Sequence, residues 1–187
     1  MDNYKIIKVS PLLEVTDCEK IKSEIYNKWY EKNFKYIVEK VKEKTERAIK
    51  DIIPEKYTQF NVDINDWREA VEIATKPLIG DNKVKKCYVN DIVGVIEKFG
   101  NYMVFMPEVA FIHASLENVI ENSVSYLNLK SKIEFGSKDK TLVKTIVVLA
   151  NKQENKNLID IVNILESDEN IYIFKNAKSY EEICNLI

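Results

Sequence analysis

Val143-Lys144-Thr145-Ile146-Val147-Val148-Leu149-Ala150 is the most apolar run of the chain. Its near-continuous hydrophobicity, rich in β-branched residues, reads as a central strand covered on both faces. The sequence around it supplies the covering helices. Downstream, Asn157 to Glu166 places Leu158, Ile161, Val162 and Leu165 on one helical face. Asn170 to Phe174 makes another helical turn, and Ser179-Tyr180-Glu181-Glu182 caps a last helix that ends with Ile183, Leu186 and Ile187. Upstream, Thr58-Gln59-Phe60-Asn61-Val62-Asp63-Ile64 alternates polar and apolar residues, as a half-buried strand does. Asp66 then caps a helix whose core face is Trp67, Val71, Ala74 and Leu78, with Gly80 as its stop. A second helix, about Asn90 to Lys98, turns Ile92, Val95, Ile96 and Phe99 inward, and Gly100 suits a left-handed cap. Two short strands, Tyr102 to Met106 and Val109 to Ile112, flank Pro107. A polar loop runs from Ser115 to Asn122; Ser123 to Leu129 is a further strand, and Ile133-Glu134-Phe135-Gly136 closes in a turn. Helix pairs alternating with strands predict an α/β fold, a mixed β-sheet with helices on both sides.

The first third is organised differently. Lys5-Ile6-Ile7-Lys8-Val9-Ser10 reads as a short strand stopped by Pro11. Thr16 with Glu19 is a capping-box signature, and helix-forming composition continues to Ile53. Ile21, Ile25, Trp29, Phe34, Ile37, Val41, Ala48 and Ile52 form its apolar stripe, with Lys and Glu between them. This reads as a linker helix packed on the domain behind it; a partner-binding or dimerising helix is the alternative, which leaves a homodimer open. Pro54 ends the segment. The predicted organisation is therefore 1–16 as the tail of an upstream domain, 17–54 as a helical linker, and 55–187 as one globular domain.

Composition narrows the function. The chain has 187 residues, 45% hydrophobic and 31% charged, with a net charge of -2, and a pI near 5.7. Direct nucleic-acid binding is not expected of it. No apolar run approaches the ~20 residues that span a bilayer, and no signal-peptide core opens the chain, so membrane insertion is not expected and a cytoplasmic location is. Cys18, Cys87 and Cys184 are widely separated, which fits reduced thiols rather than a zinc site. The four glycines form no phosphate-cradling loop, no serine sits in a G-x-S-x-G elbow, and Glu181-Glu182 reads as a helix-dipole partner. His113, the one histidine, remains as the chemical candidate. It stands at the end of the apolar run Val109 to Ile112, where a rigid element reaches the surface. Its ring titrates near neutrality, so an unprotonated nitrogen is available as a nucleophile.

Several landmarks then line up in one collinear block. They are Asn61-Val62, Asp66-Trp67-x-Glu69-Ala70, Pro107-Glu108-Val109-Ala110-Phe111-Ile112-His113-Ala114, Leu127-Asn128-Leu129, Ile133-x-Phe135-Gly136, Val143-Lys144-x-Ile146-Val147-x-Leu149-Ala150, and Asn176 to Ile183. With these, the block from about Thr58 to Ile187 resembles the EIIA domain of the mannitol/fructose/ascorbate class of the bacterial sugar phosphotransferase system. The resemblance implies that His113 is the phosphorylatable histidine, taking a phosphoryl group from the phosphocarrier HPr and able to pass it to an EIIB cysteine, with no cofactor. Backbone N–H groups of the following loop, among Ala114, Ser115 and Asn118, would form an anion nest for the phosphate. Phe111, Ile112 and Leu116 would form an apolar rim for partners.

The block also departs from the family pattern. Glu108 stands where the family has glycine, Ile112 where it has proline, and Ser115-Leu116 where it has Arg-Pro. A second family histidine falls near Lys156-Asn157, and Asp139-Lys140-Thr141-Leu142 replaces an Asp-Pro turn. Lys8-Val9-Ser10-Pro11-Leu12-Leu13, a helical linker and then an EIIA-like domain resemble the end of BglG-type regulators, activators or antiterminators with PRD modules and an EIIB-like domain. On that resemblance residues 1–16 are a remnant of the EIIB-like domain, and PRD and EIIB modules of the same polypeptide are partners. The expected function is a regulatory EIIA-like domain of such a transcriptional regulator, phosphorylated on His113 in response to sugar supply. A free-standing EIIA phosphocarrier of an ascorbate-like transporter and a degenerate interaction module are the alternatives.

Overall fold

The computed structural model describes residues 47–137, 140–152 and 156–186; the expected N-terminal strand, all but the last turn of the linker helix, Cys18 and Asp139 lie outside the described residues. Alternate side chains of the apolar run do point into two different cores. The run is strand β4, Thr141–Ala150, and it lies inside a four-stranded sheet. On one side it pairs antiparallel with β3, Ser123–Phe135; on the other it pairs parallel with β2, Glu108–Ile112. Strand β1, Thr58–Val62, adds parallel to β3, so the order is β1-β3-β4-β2 and the sheet is mixed.

One face carries Ala110, Ile112, Leu127, Leu129, Ile146, Val148 and Ala150. It packs on two helices whose inward stripes recur every three or four residues. Helix α2, Trp67–Gly80, contributes Trp67, Ala70, Val71, Ala74 and Leu78; helix α3, Tyr88–Phe99, contributes Tyr88, Ile92 and Ile96. Asp66 caps α2 as expected, accepting from the N–H groups of Arg68 (2.9 Å) and Glu69 (3.0 Å). The opposite face carries Val109, Phe111, Val124, Tyr126, Val147 and Leu149. It is covered by the short helix α1, Ile49–Ile52, and by α4, Lys156–Ile164, α5, Asp168–Asn176, and α6, Tyr180–Cys184. Ser167 and Ser179 cap α5 and α6 through their hydroxyls. Ile49, Ile52 and Ile53, assigned from sequence to the linker, are buried in this second core.

Polar groups inside the sheet are satisfied, as burial requires. Ser125 Oγ donates to the Ala74 carbonyl at 2.6 Å, and Asn128 Nδ2 and Thr145 Oγ1 both donate to the Lys175 carbonyl, at 2.8 and 3.2 Å. No described helix is long and apolar enough to cross a membrane.

Four local expectations are corrected. The stretch Tyr102 to Met106 is not a strand: Val104 N–H bonds back to Asn101 C=O in a turn, and its backbone meets the edge of β2 through Phe111 N–H to Met103 C=O and a bridge between Met106 and Val109. Ile133 to Phe135 is not a turn but the end of β3, which continues past an irregularity between Asn128 and Ile133. Phe99 is 57% exposed, because it is the last residue of α3 and overshoots the core. Gly100 has the expected positive φ of 75°, but its ψ of -154° is extended, not left-handed helical.

Candidate functional site

The carboxyl ends of β2 and β4 and the amino end of β3 meet at one end of the sheet, where Ile112 pairs with Val148 and Ser123 with Ala150. His113 is the first residue beyond β2 at that end. Its imidazole is half-buried and faces the edge of Tyr102, with ring centroids 6.1 Å apart and planes at 82°. Tyr102 in turn meets Phe99 edge-on, at 6.5 Å and 88°, and Lys98 Nζ lies 4.9 Å from the Phe99 ring centre. An aromatic ladder therefore runs from the histidine out to an exposed phenylalanine.

Burial holds the His113 pKa below the ordinary histidine value of 6.5, because it disfavours the charged ring. The imidazole is thus neutral at pH 7, and a neutral ring nitrogen is what nucleophilic attack requires.

The loop beyond His113 is held by buried polar contacts. Ala114 N–H donates to Tyr88 Oη at 3.2 Å, and that hydroxyl donates to Leu149 C=O, also at 3.2 Å. Tyr88 is fully buried, and burial raises its pKa above 10, so the phenol keeps its proton. Ser115, Leu116 and Glu117 are exposed, and Leu116–Asn118 forms a 3-10 turn. Asn118 Nδ2 donates to Asp91 Oδ2 at 2.7 Å, and Asn118 C=O accepts from Lys85 N–H at 2.9 Å.

This geometry revises the expected site in two places. Phe111 and Ile112 are 1% and 0% exposed and belong to the two opposite cores, so neither forms a docking rim. Their burial follows from β2 being covered on both faces; Phe111 stacks on Phe105 at 4.8 Å and 17°. Leu116, 53% exposed, does lie at the surface. In the expected nest, the Ala114 backbone N–H is engaged by Tyr88, the Asn118 side chain rather than its backbone N–H is bonded to Asp91, and Ser115 stays exposed. Sequence reasoning missed Tyr88, Asp91, Phe99 and Tyr102. Phe99 carried a signal, since it is a large apolar residue directly before the helix-stopping Gly100; the partners of Tyr88 come from the loop after β2 and from β4, and no local pattern announces them.

At the position where a second family histidine would fall, Asn157 Nδ2 donates to Asn151 Oδ1 at 3.3 Å and its Oδ1 accepts from Arg47 Nη1 at 3.1 Å. These residues line a cleft of about 510 Å³ that also includes Lys56, Lys83 and Ser123; its lining takes in Glu121 and Asn122 at the far end of the loop but no residue from His113 to Asn118.

Comparison with known proteins gives a consistent family. The model for the phosphoenolpyruvate-dependent sugar phosphotransferase system, EIIA 2, matches residues 51–187. The ascorbate-specific PTS system EIIA component of Salmonella paratyphi A is 28% identical over 134 residues, covering 69% of this chain and 87% of that protein. Its counterpart in Escherichia coli K12 is 27% identical over 137 residues, covering 71% and 89%. Among solved structures, a provisionally assigned PTS IIA of Streptococcus mutans, PtxA, superposes with a TM-score of 0.63 at 29% identity, covering 69% of this chain and 85% of that one. The mannitol enzyme IIA of Escherichia coli, solved in complex with phosphorylated mannitol enzyme IIB, shares the fold with a TM-score of 0.61 at 17% identity, covering 70% and 93%. The match spans most of the chain and the superpositions agree with it: the chain belongs to the EIIA 2 family of the phosphoenolpyruvate-dependent sugar phosphotransferase system.

Proposed function

We propose that His113 accepts a phosphoryl group from phosphorylated HPr and can hand it to an EIIB protein or domain. The observation that carries this reading is a neutral, half-buried imidazole immediately beyond the end of β2, where the chain leaves the core, inside a domain of the EIIA 2 family. In the transfer, the N–P bond of the donor phosphohistidine breaks as an N–P bond forms at His113. The group passes from one imidazole to another and needs no third reactant. Positioning and charge stabilisation supply the catalysis. The hydroxyl of Ser115 and the N–H groups of Ser115 to Glu117 are the groups assigned to the phosphate oxygens. Phe99 and Leu116, both more than half exposed, with the half-buried Tyr102 that joins Phe99 to His113, replace Phe111 and Ile112 as the apolar docking surface.

The physiological setting we assign is a regulatory domain of a BglG-type, PRD-containing regulator in the cytoplasm, where phosphorylation adds about -1.5 to -2 of charge and changes docking with neighbouring modules. The strand and helix expected from the sequence before residue 47 and the replacement of the Arg-Pro by Ser115-Leu116 favour it. The ascorbate-specific names of the relatives favour the second reading, a carrier that serves a transporter.

Incubation with phosphoenolpyruvate, enzyme I and HPr should place an acid-labile label on the chain, and His113→Ala should abolish it. Rapid forward transfer to an ascorbate-type EIIB would select the carrier. Absence of label under conditions that charge a standard EIIA would reject both readings.

A further inference from the structure

Two side chains in the first turn of α3 reach the loop that carries His113 and hold it at both ends. Tyr88 takes the Ala114 N–H, one residue after the histidine, and ties it to Leu149 near the end of the central strand. Asp91, three residues later on the same helical face, takes the Asn118 side-chain amide at 2.7 Å. The backbone adds Lys85 N–H to Asn118 C=O at 2.9 Å and a bridge between Val84 and Val119. Residues 84–91 therefore grip residues 114–119, while Ser115, Leu116 and Glu117 between the two grips stay exposed.

A buried phenol is a costly way to fill a core. Its hydroxyl loses water and regains stability only if both of its hydrogen bonds form. Phenylalanine would occupy the same volume without that requirement. What the hydroxyl adds is a fixed distance between the His113 loop and β4. An exposed loop without such anchors samples many conformations, and phosphoryl transfer between two proteins tolerates little misplacement of the accepting nitrogen.

We infer that Tyr88 and Asp91 are positioning residues for phosphoryl transfer, holding the His113–Asn118 loop in one geometry before a donor arrives. The inference rests on His113 being the phosphoacceptor, and neither residue touches the transferred group.

Phosphorylated HPr is mixed with wild type, Tyr88→Phe, Asp91→Ala and Asp91→Asn well below their melting temperatures, and single-turnover labelling is followed. Tyr88→Phe and Asp91→Ala should lower the maximal rate by about 10- to 100-fold, with the concentration of donor at half-maximal rate unchanged. Asp91→Asn, which keeps a side-chain acceptor, should recover most of the loss. The His113 ring signals in NMR spectra of the unphosphorylated chain should be sharp in wild type and broadened or doubled in the two damaging variants. A wild-type chain that labels, with Tyr88→Phe and Asp91→Ala labelling at the same rate and showing unchanged ring signals, overturns the positioning role and leaves the acceptor reading intact. A wild-type chain that takes no label removes the acceptor reading and this inference with it. Rates that fall only because the donor concentration at half-maximal rate rises assign these residues to docking and overturn positioning.

Discussion

Glu108 departs from the family pattern in a way the backbone makes visible. Its φ is 68°, in the left-handed region that suits glycine, and glycine is what the family carries there. An L side chain in that region costs about 1–2 kcal/mol. Here the carboxylate is bonded to Lys132 and lies 3.1 Å from Lys175 Nζ, and the Lys132 bond foremost holds its pKa below the ordinary carboxylate value. The ion pairs thus offset part of the backbone strain. Glu108→Gly, which relieves the strain while losing the pairs, should be more stable than Glu108→Ala by about 1–2 kcal/mol, measured by chemical denaturation of the two variants; equal stabilities would show that no strain is stored there. His113 gives a prediction in pH. Its folded-state pKa lies below 6.5, so the unfolded chain binds a proton first as pH falls. Its contribution to stability is full above pH 6.5 and is lost as pH drops through the lower folded value. An NMR titration of the ring should therefore have its midpoint below 6.5, and acceptance of phosphate should persist into mildly acidic solution. A midpoint at or above 6.5 would contradict the burial argument.

Elements whose pattern is uninterrupted were readable from the sequence, and the misread ones have identifiable causes. Strand β4 and helix α2 carry clean apolar patterns and appear where expected. Strand β3 runs past its expected end at Leu129: the polar Lys130, Ser131 and Lys132 are exposed at a register irregularity, after which Ile133 and Phe135 rejoin the core. The turn expected at Ile133 to Gly136 moves past it, and the φ of 102° at Gly136 is one that favours glycine; a Cβ there would also displace the Asn101 side chain. For the proposed site, His113 stands out in the sequence as the chain's single histidine, whereas its surroundings depend on how three separate elements converge. The same convergence separates two kinds of aromatic and aliphatic residue near the histidine. Phe111→Ala, deep in the core and stacked on Phe105, should cost about 3–5 kcal/mol of stability. Phe99→Ala and Leu116→Ala, both more than half exposed, should change stability by no more than about 0.5 kcal/mol while raising the donor concentration needed for half-maximal labelling. Thermal melts paired with the labelling assay check both halves; a Leu116→Ala chain as unstable as Phe111→Ala would mean that Leu116 is structural and not a docking residue.

For the molecule as a whole, the sheet order β1-β3-β4-β2 sets where chemistry can happen. At the end where β2 and β4 finish, a loop leaves β2 beside the doubly covered β4, and His113 is the first residue of that loop. No one-dimensional pattern ranks strands in a sheet, which is why layers were readable and order was not. The sequence also put the domain's start at residue 55, after the helix-ending Pro54, because a proline is a strong local signal. Tertiary contacts extend further. Ile49, Ile52 and Ile53 are 0%, 4% and 0% exposed, Ile53 C=O accepts from Tyr180 Oη at 2.9 Å, and Arg47 Nη1 lies 2.8 Å from the buried Asp160 carboxylate. Burying each isoleucine contributes about 1.5–3 kcal/mol, so three of them together approach the 5–15 kcal/mol total of a typical domain. A chain comprising residues 45–187 should melt cooperatively. One comprising 55–187 should melt far lower or fail to fold, and it should lose labelling at His113 in parallel, because α4 to α6 would have lost part of the surface they pack on. Circular dichroism melts of the two chains decide the matter: equal midpoints would mean that α1 rests on the domain without supporting it.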